Sequence, residues 1–452
     1  MAWGPKVWRN LDRVVIYGLC WRVWQTAAVP VTLLLVSLNF TPQLQGYYYT
    51  FASIIALQSF FELGLYLVVV NIAAHEWADL SLTATGQIAG KPHARSRLIS
   101  LGRFIFKYYT LAALLFFAVV GPVGWLLFSG RIVGGVTWHG PWLAMVAIAA
   151  TKLVAEPFCS LLEGCNQIHA VYQMRLVQSV VSSLAGWAAI LAGWELWVPV
   201  AVSALQLGAT LLFLLGRYGN FFRAFLRPTD GPRLGWRKDI WPMQWRLACS
   251  GLLNYFAYSL FNPVIFYFNG PVAAGQMGMT LQVVGGVQTV ALTWLTVKVP
   301  QFGALIARRE FRRLDELWRT ASWMSLGSFL VGGSLLVLVV ALCGHFHVAM
   351  AERILPMSAL IGLLVGGVAT NVGQSLTAYL RAHRQEPILV MSVVTALLSG
   401  TSVLLLAYLS GPGAIAWGYA TVIVFGLAWE WAIWERCRRE WHGELPLPAS
   451  AS

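Results

Sequence analysis

The chain has 452 residues, 58% hydrophobic and 11% charged, well below the roughly 25% charged that a soluble domain carries. A water-bounded globule is excluded, because soluble cores stop growing near about 250 to 300 residues and the surplus apolar surface, rich in Trp, Phe and Tyr, needs lipid to cover it. Gly and Pro without period, and six Cys without a CxxC pair, exclude collagen-like, disordered and disulfide-scaffold classes. The net charge of +13 comes from basic clusters between apolar runs, the pattern of cytoplasmic loops facing anionic lipid, so membrane rather than nucleic acid is the expected partner. Most of Cys20, Cys159, Cys165, Cys249, Cys343 and Cys437 fall inside apolar runs, and neither a disulfide, a metal nor another cofactor is expected.

A spanning helix needs about 20 apolar residues, and twelve such segments are predicted: 14–38, 47–74, 105–129, 141–163, 169–193, 196–216, 241–268, 273–300, 321–344, 355–380, 387–409 and 412–434. The fold class is therefore an all-α polytopic membrane protein. With the N-terminus inside, 24 of the 31 Lys and Arg fall on the inner side and only Arg131 and Arg353 outside, which places both termini in the cytoplasm. The first span is too long for a cleavable signal and keeps its basic flank inside. Trp pairs near span ends, such as Trp194 and Trp197, fit an interfacial belt.

The basic, Pro- and Gly-broken stretch 217–240 reads as a linker, dividing the chain into six-helix lobes at 1–220 and 221–452. "WRVWQ" from Trp21 matches "WRLAC" from Trp245, and "LLEGCNQIHAVYQMRLVQSVVSSLAG" from Leu161 matches "AYLRAHRQEPILVMSVVTALLSG" from Ala378. Because six is even, both halves start on one side, giving a parallel repeat that suits a central cavity with alternating access.

Ionisable groups at membrane depth cost at least about 2.5 kcal/mol, so each invites a role. Lys152, Glu156 and Glu163 lie within about 40° of one helix face; Lys152 and Glu156 either neutralise each other or line a cavity. Glu62, in "FFELGL" near mid-span, carries a coupling proton or neutralises a neighbouring Arg. Arg22 and Arg246, each directly after a Trp, suit bidentate grip of a diphosphate, or snorkel to inner headgroups with Trp21 and Trp245 as anchors. Arg175 and Lys298, nearer the inner span ends, are expected to snorkel. "GQIAGKP" at 86–92 lacks the spacing and hydroxyl of a P-loop, so no ATP site is evident. The outer loops are too short for the catalytic groups of a membrane glycosyltransferase, and no enzyme activity is expected.

Twelve helices in two parallel lobes, "GYYYTFASIIALQSFFELGL" and "LLEGCNQIHAVYQ" resemble the polysaccharide flippase branch of the multidrug/oligosaccharidyl-lipid/polysaccharide exporter superfamily. The resemblance implies flipping of a polyprenyl-diphosphate-linked oligosaccharide through a cationic central cavity, a role that carries over onto Arg22, Lys152 and Arg246. Glu62 and Glu156 are left for ion coupling or charge pairing. The partners implied are the lipid-linked oligosaccharide, membrane lipid and, for the basic inner loops, glycan-assembly enzymes, unless those loops simply obey topology. The alternative branch, multidrug exporters, commonly places a coupling carboxylate in the first helix of a lobe, and neither 14–38 nor 241–268 contains an acid. For the orientation, cysteines placed at Gln43 and Thr137 in a cysteine-free background should react with an impermeant thiol reagent added to intact cells. Cysteines at Thr229 and Glu310 should not, and their labelling would overturn the assignment.

Overall fold

The computed structural model describes residues 5–62, 64–83, 85–130, 135–226, 234–235, 241, 259–383, 385 and 387–442. They form an all-α polytopic membrane protein with two compact units, Met1–Tyr255 and Phe256–Ser452. Much of the expected linker 217–240, and most of the expected span 241–268 including Arg246, lie outside the described residues.

The first unit contains α1 (Pro5–Asn39), α2 (Pro42–Ile55), α3 (Gln58–Glu62), α4 (Leu65–Trp77), α5 (Pro92–Ser129), α6 (His139–Leu162), α7 (Ile168–Leu191), α8 (Trp197–Leu212) and α9 (Tyr218–Arg223). The second contains α10 (Phe261–Asn269), α11 (Pro271–Thr296), α12 (Val299–Ala307), α13 (Phe311–His345), α14 (Met357–Ala382), α15 (Leu389–Leu409) and α16 (Pro412–His442). Among the described residues nine helical stretches are long and apolar enough to cross a membrane, and α2–α3 with α4 make a tenth that bends by 45°. One of the nine, His139–Leu191, has 53 residues. A straight helix of that length would reach about 80 Å against a hydrocarbon core of about 30 Å. It is divided by a wide turn at Glu163–Gln167 in which Asn166 takes a left-handed φ of 60°, so two spans fit where the sequence predicts two.

The second expected span is the one whose form differs. The segment 47–74 is not a continuous helix: it breaks between Glu62 and Leu65, where Gly64 adopts a φ of +65° that a residue with a Cβ rarely takes. Thr41 starts α2 by accepting a hydrogen bond from the Leu44 N–H, with Pro42 in the first turn where its missing N–H costs nothing. A short hairpin, β1 (Leu80–Leu82) with β2 (Ile88–Gly90), joins α4 to α5 and contains the glycine-rich stretch that resembles a phosphate loop in composition alone.

Close approach of helices follows small residues, as it must where lipid offers no hydrophobic drive between them. On α14, Gly362, Gly366 and Gly367 receive Trp417, Tyr419 and Phe329 respectively. In the first unit α1 packs along α7: Gly18 admits the Tyr172 ring, Trp21 Nε1 donates to Ser179 Oγ at 2.9 Å, and Trp187 Nε1 donates to Thr32 Oγ1 at 2.9 Å. Trp142 on α6 is fully buried against Phe51 and Phe128, donates Nε1 to the Gly121 carbonyl at 3.0 Å, and occupies the space a Cβ at Gly124 would need. Helix propensity favours Ala over Gly by about 1 kcal/mol, yet overpacking costs about 1–3 kcal/mol and the hydrogen-bonded indole cannot retreat. Gly124→Ala should therefore lower the melting temperature of the purified protein in detergent, and a neutral or raised value would refute this packing.

Candidate functional site

Polar side chains inside the first unit converge on one face of α6. Lys152, Glu156 and Glu163 sit along it as the spacing predicts, spread over about 16 Å of rise. Pro157, directly after Glu156, removes the N–H that would have met the Leu153 carbonyl, which loosens the ladder beside these groups.

Lys152 does not ion-pair with Glu156, one of the two readings left open by the sequence. Its Nζ donates to Gln206 Oε1 on α8 at 2.8 Å. Gln206 is itself held, donating through Nε2 to Ser182 Oγ at 3.4 Å, while its backbone carbonyl accepts from Gln178 Nε2 at 2.6 Å. Glu156 is half-buried, without a direct hydrogen bond or ion pair among the described residues, and near enough to both Lys152 and Glu62 for the charges to interact. Glu62 ends α3 at the helix break and also interacts electrostatically with Tyr109. It stands beside a second carboxylate rather than alone at mid-span, and no Arg neutralises it among the described residues.

In the turn that follows α6, Glu163 is 5% exposed and pairs with Arg175 of α7 at 3.0 Å. Tyr66 of α4 donates its hydroxyl to Glu163 Oε2 at 2.9 Å, and the Arg175 guanidinium lies over the Trp21 ring of α1, 5.4 Å from its centroid. Arg175 is thus a buried partner rather than a snorkelling one, because a desolvated carboxylate lies within reach. Trp21 is a packing residue between α1 and α7, not a headgroup anchor.

Arg22 is exposed on α1, with Gln25 and Thr26 following at i+3 and i+4 as a short polar strip amid exposed Leu19 and Val23. No carboxylate pairs with it among the described residues. Lys298 is half-buried at the break between α11 and α12.

The second unit holds two polar groupings that the sequence did not single out. Glu430 on α16 is 7% exposed, accepts a hydrogen bond from Thr377 Oγ1 at 2.6 Å, and fits opposite Gly373. Its signal was an acid in the last apolar run, obscured because that helix continues to His442. On α13, Asp315 accepts from Arg438 Nη2 at 2.5 Å and Nε at 3.0 Å, and from the Tyr379 hydroxyl at 2.7 Å. His442 Nε2 lies 3.3 Å from the same hydroxyl. His383 Nδ1 is 3.0 Å from the Tyr379 carbonyl, and burial pushes its pKa below the usual histidine range. Among the described residues no three His, Cys, Asp or Glu side chains converge to hold a metal ion.

No family model and no curated protein matches the sequence. Among solved structures, an inward-facing multidrug resistance MATE family transporter of the MOP superfamily aligns with a TM-score of 0.68 at 14% identity, over 93% of this chain and 96% of its own. The fold is that of the MOP-superfamily transporters. The lipid II flippase MurJ, in an inward closed conformation, aligns with a TM-score of 0.61 at 8% identity, over 92% of this chain and 86% of its own. The MATE multidrug transporter DinF-BH gives 0.59 at 14% identity over 97% of both chains. A drug transporter and a lipid flippase thus share this architecture.

The Glu163–Arg175 pair supplies a stability test. Removing one partner of a buried pair costs about 3–5 kcal/mol, mostly by stranding the other charge. Arg175→Gln should therefore destabilise strongly in thermal unfolding, and adding Glu163→Gln should recover part of the loss. Additive losses in the double variant would show that the two groups do not interact.

Proposed function

We propose that the chain is a membrane transporter that flips a polyprenyl-diphosphate-linked oligosaccharide from the inner to the outer leaflet by alternating access, without changing its bonds. The observation that carries the reading is the exposed guanidinium of Arg22, without a carboxylate partner among the described residues and beside Gln25 and Thr26. A cation kept inside a span at a cost of about 2.5–3.5 kcal/mol is best accounted for by an anion that visits it, and a diphosphate matches the guanidinium fork. Lys152 supports this role, since its tether is a neutral amide and its charge is not cancelled by direct contact. Arg246, at the equivalent place in the second repeat, belongs to the same proposal. Glu62 and Glu156 are assigned to the coupling ion: two carboxylates close enough to interact favour sharing one proton or cation over both being bare. The likeness to a lipid flippase agrees with a lipid-linked cargo. Under this reading the protein works in the bacterial inner membrane with both termini cytoplasmic, beside enzymes of glycan assembly.

A second reading rests on the same pair of carboxylates. Unpaired acids inside the first unit would also suit an ion-coupled exporter of organic cations, and two of the similar structures are multidrug transporters. Reconstitution separates the two. Liposomes containing the purified protein should expose a diphosphate-linked oligosaccharide to an outside probe with its mass unchanged. Arg22→Ala should slow this about tenfold or more, while Arg22→Lys restores it in part because the fork is lost. Expression in a drug-sensitive host should give no resistance to cationic dyes. Efflux of those dyes, together with normal flipping in Arg22→Ala, would overturn the flippase assignment in favour of the exporter.

A further inference from the structure

The turn between α7 and α8 has a form that helix connection alone does not require. α7 ends in a left-handed cap, Gly193 at φ +75°, with the Gly193 N–H donating to the Ile190 carbonyl at 3.1 Å and the Trp194 N–H to the Ala189 carbonyl at 3.0 Å. Two residues later Glu195 also adopts a left-handed φ of 48°, a conformation that Gly or Asn takes at less cost. The following turn is closed by the Trp197 N–H donating to the Trp194 carbonyl at 2.9 Å and the Val198 N–H to the Glu195 carbonyl at 3.1 Å. Glu195 is thereby presented at the tip, exposed, and without a hydrogen bond or ion pair among the described residues.

An indole stands on each side of it. Trp194 and Trp197 are 54% and 47% exposed, and among the described residues neither ring touches another aromatic ring. The Trp197 ring leans on α6 at Gly140, where a Cβ would lie 3.3 Å from it, so that wall has a fixed backing. Gly193, Trp194, Glu195, Trp197, Val200 and Ala201 enclose an open groove of about 460 Å³. Its chemistry is graded: a carboxylate at the tip, two aromatic faces beside it, then Val200 and Ala201 leading toward the exposed apolar side chain of Leu205 on α8. Carboxylate plus indole is the pairing that recognises an ammonium group, and the apolar continuation is what an acyl chain needs. Interfacial anchoring would account for the two tryptophans, but it gives no reason for an acid held in a disfavoured backbone conformation between them.

We propose that this turn is a binding site for a phospholipid with a primary ammonium headgroup, of the phosphatidylethanolamine class, whose ammonium pairs with Glu195 between Trp194 and Trp197 while its chains run past Val200 and Ala201. The site lies at the end of the first unit opposite the start of α1, and it stands whatever the transported cargo is.

Native mass spectrometry of the full-length protein in detergent, titrated with phosphatidylethanolamine or with phosphatidylglycerol of the same chains, tests it. The wild type should retain the ammonium lipid in preference. Glu195→Gln and the Trp194→Ala/Trp197→Ala double variant should each weaken that binding about tenfold while leaving phosphatidylglycerol adducts unchanged. Glu195→Gly, which suits the left-handed backbone, should lose the lipid while its melting temperature in lipid-free detergent does not fall, so that loss of binding cannot be ascribed to misfolding. Soluble glycerophosphoethanolamine should fail to displace the lipid. Equal retention of both lipids, or unchanged binding in Glu195→Gln, would reduce the two tryptophans to interfacial anchors, and displacement by the soluble headgroup would replace the lipid with a water-soluble amine as the ligand.

Discussion

A charge inside the hydrocarbon layer must be neutralised or solvated by protein, because no water is there to do it. The rest of the first unit is arranged around that requirement at Glu163. Its carboxylate is held by Arg175 and Tyr66, and Arg175 in turn covers the Trp21 ring, so a single buried acid links α4, the turn after α6, α7 and α1. These four segments are brought together by one desolvated charge rather than by apolar fit alone. Gly164, next in sequence, lets the turn approach α4 so closely that a Cβ would lie 2.6 Å from Ala73.

With Arg175 committed there, the remaining charges are satisfied by weaker or neutral partners, and this separates groups that hold the structure from groups free to act. Some acids meet arginines directly, Glu76 with Arg97 at 2.8 Å and Asp315 with Arg438. Other charges have amides and hydroxyls as partners: Gln206 for Lys152, Thr377 for Glu430. A neutral partner solvates without cancelling charge, so the field of Lys152 persists in a medium that screens it little. Such a group can change its partner when a ligand or ion arrives, whereas separating Glu163 from Arg175 would strand two charges at once.

The sequence made the spans legible because lipid imposes a length and a composition that no other environment does. Helix ends agree within a few residues for the expected segments 141–163, 355–380 and 387–409. It was poor at partners. Spacing correctly put Lys152, Glu156 and Glu163 on one face, but the amide that takes Lys152 comes from α8, 54 residues away, and nothing local announces it. Arg175 reads as a snorkelling residue from its position near a span end until Glu163 is placed beside it. Glu62 reads as solitary because the break at Gly64, and the approach of α6 to it, are tertiary facts. In each case the missing information was which helix lies opposite, and hydropathy does not encode that.

The length of α5 bears on the bilayer in which the protein can work. Its 38 residues extend about 57 Å, almost twice the hydrocarbon thickness. Lys91, directly before it, and Arg95, Arg97, Arg103 and Lys107 within it occupy its first half, while exposed Leu111, Leu114 and Leu126 line the second. Charge gives way to lipid-facing leucine within a single turn, between Lys107 and Leu111. The flexible stem of exposed Lys107 can reach for headgroups over several ångströms at that border. A thicker or thinner membrane can thus be met by axial drift or tilt of this rod, without dragging a guanidinium into oil or leaving leucine in water, which gives the first unit latitude toward acyl-chain length.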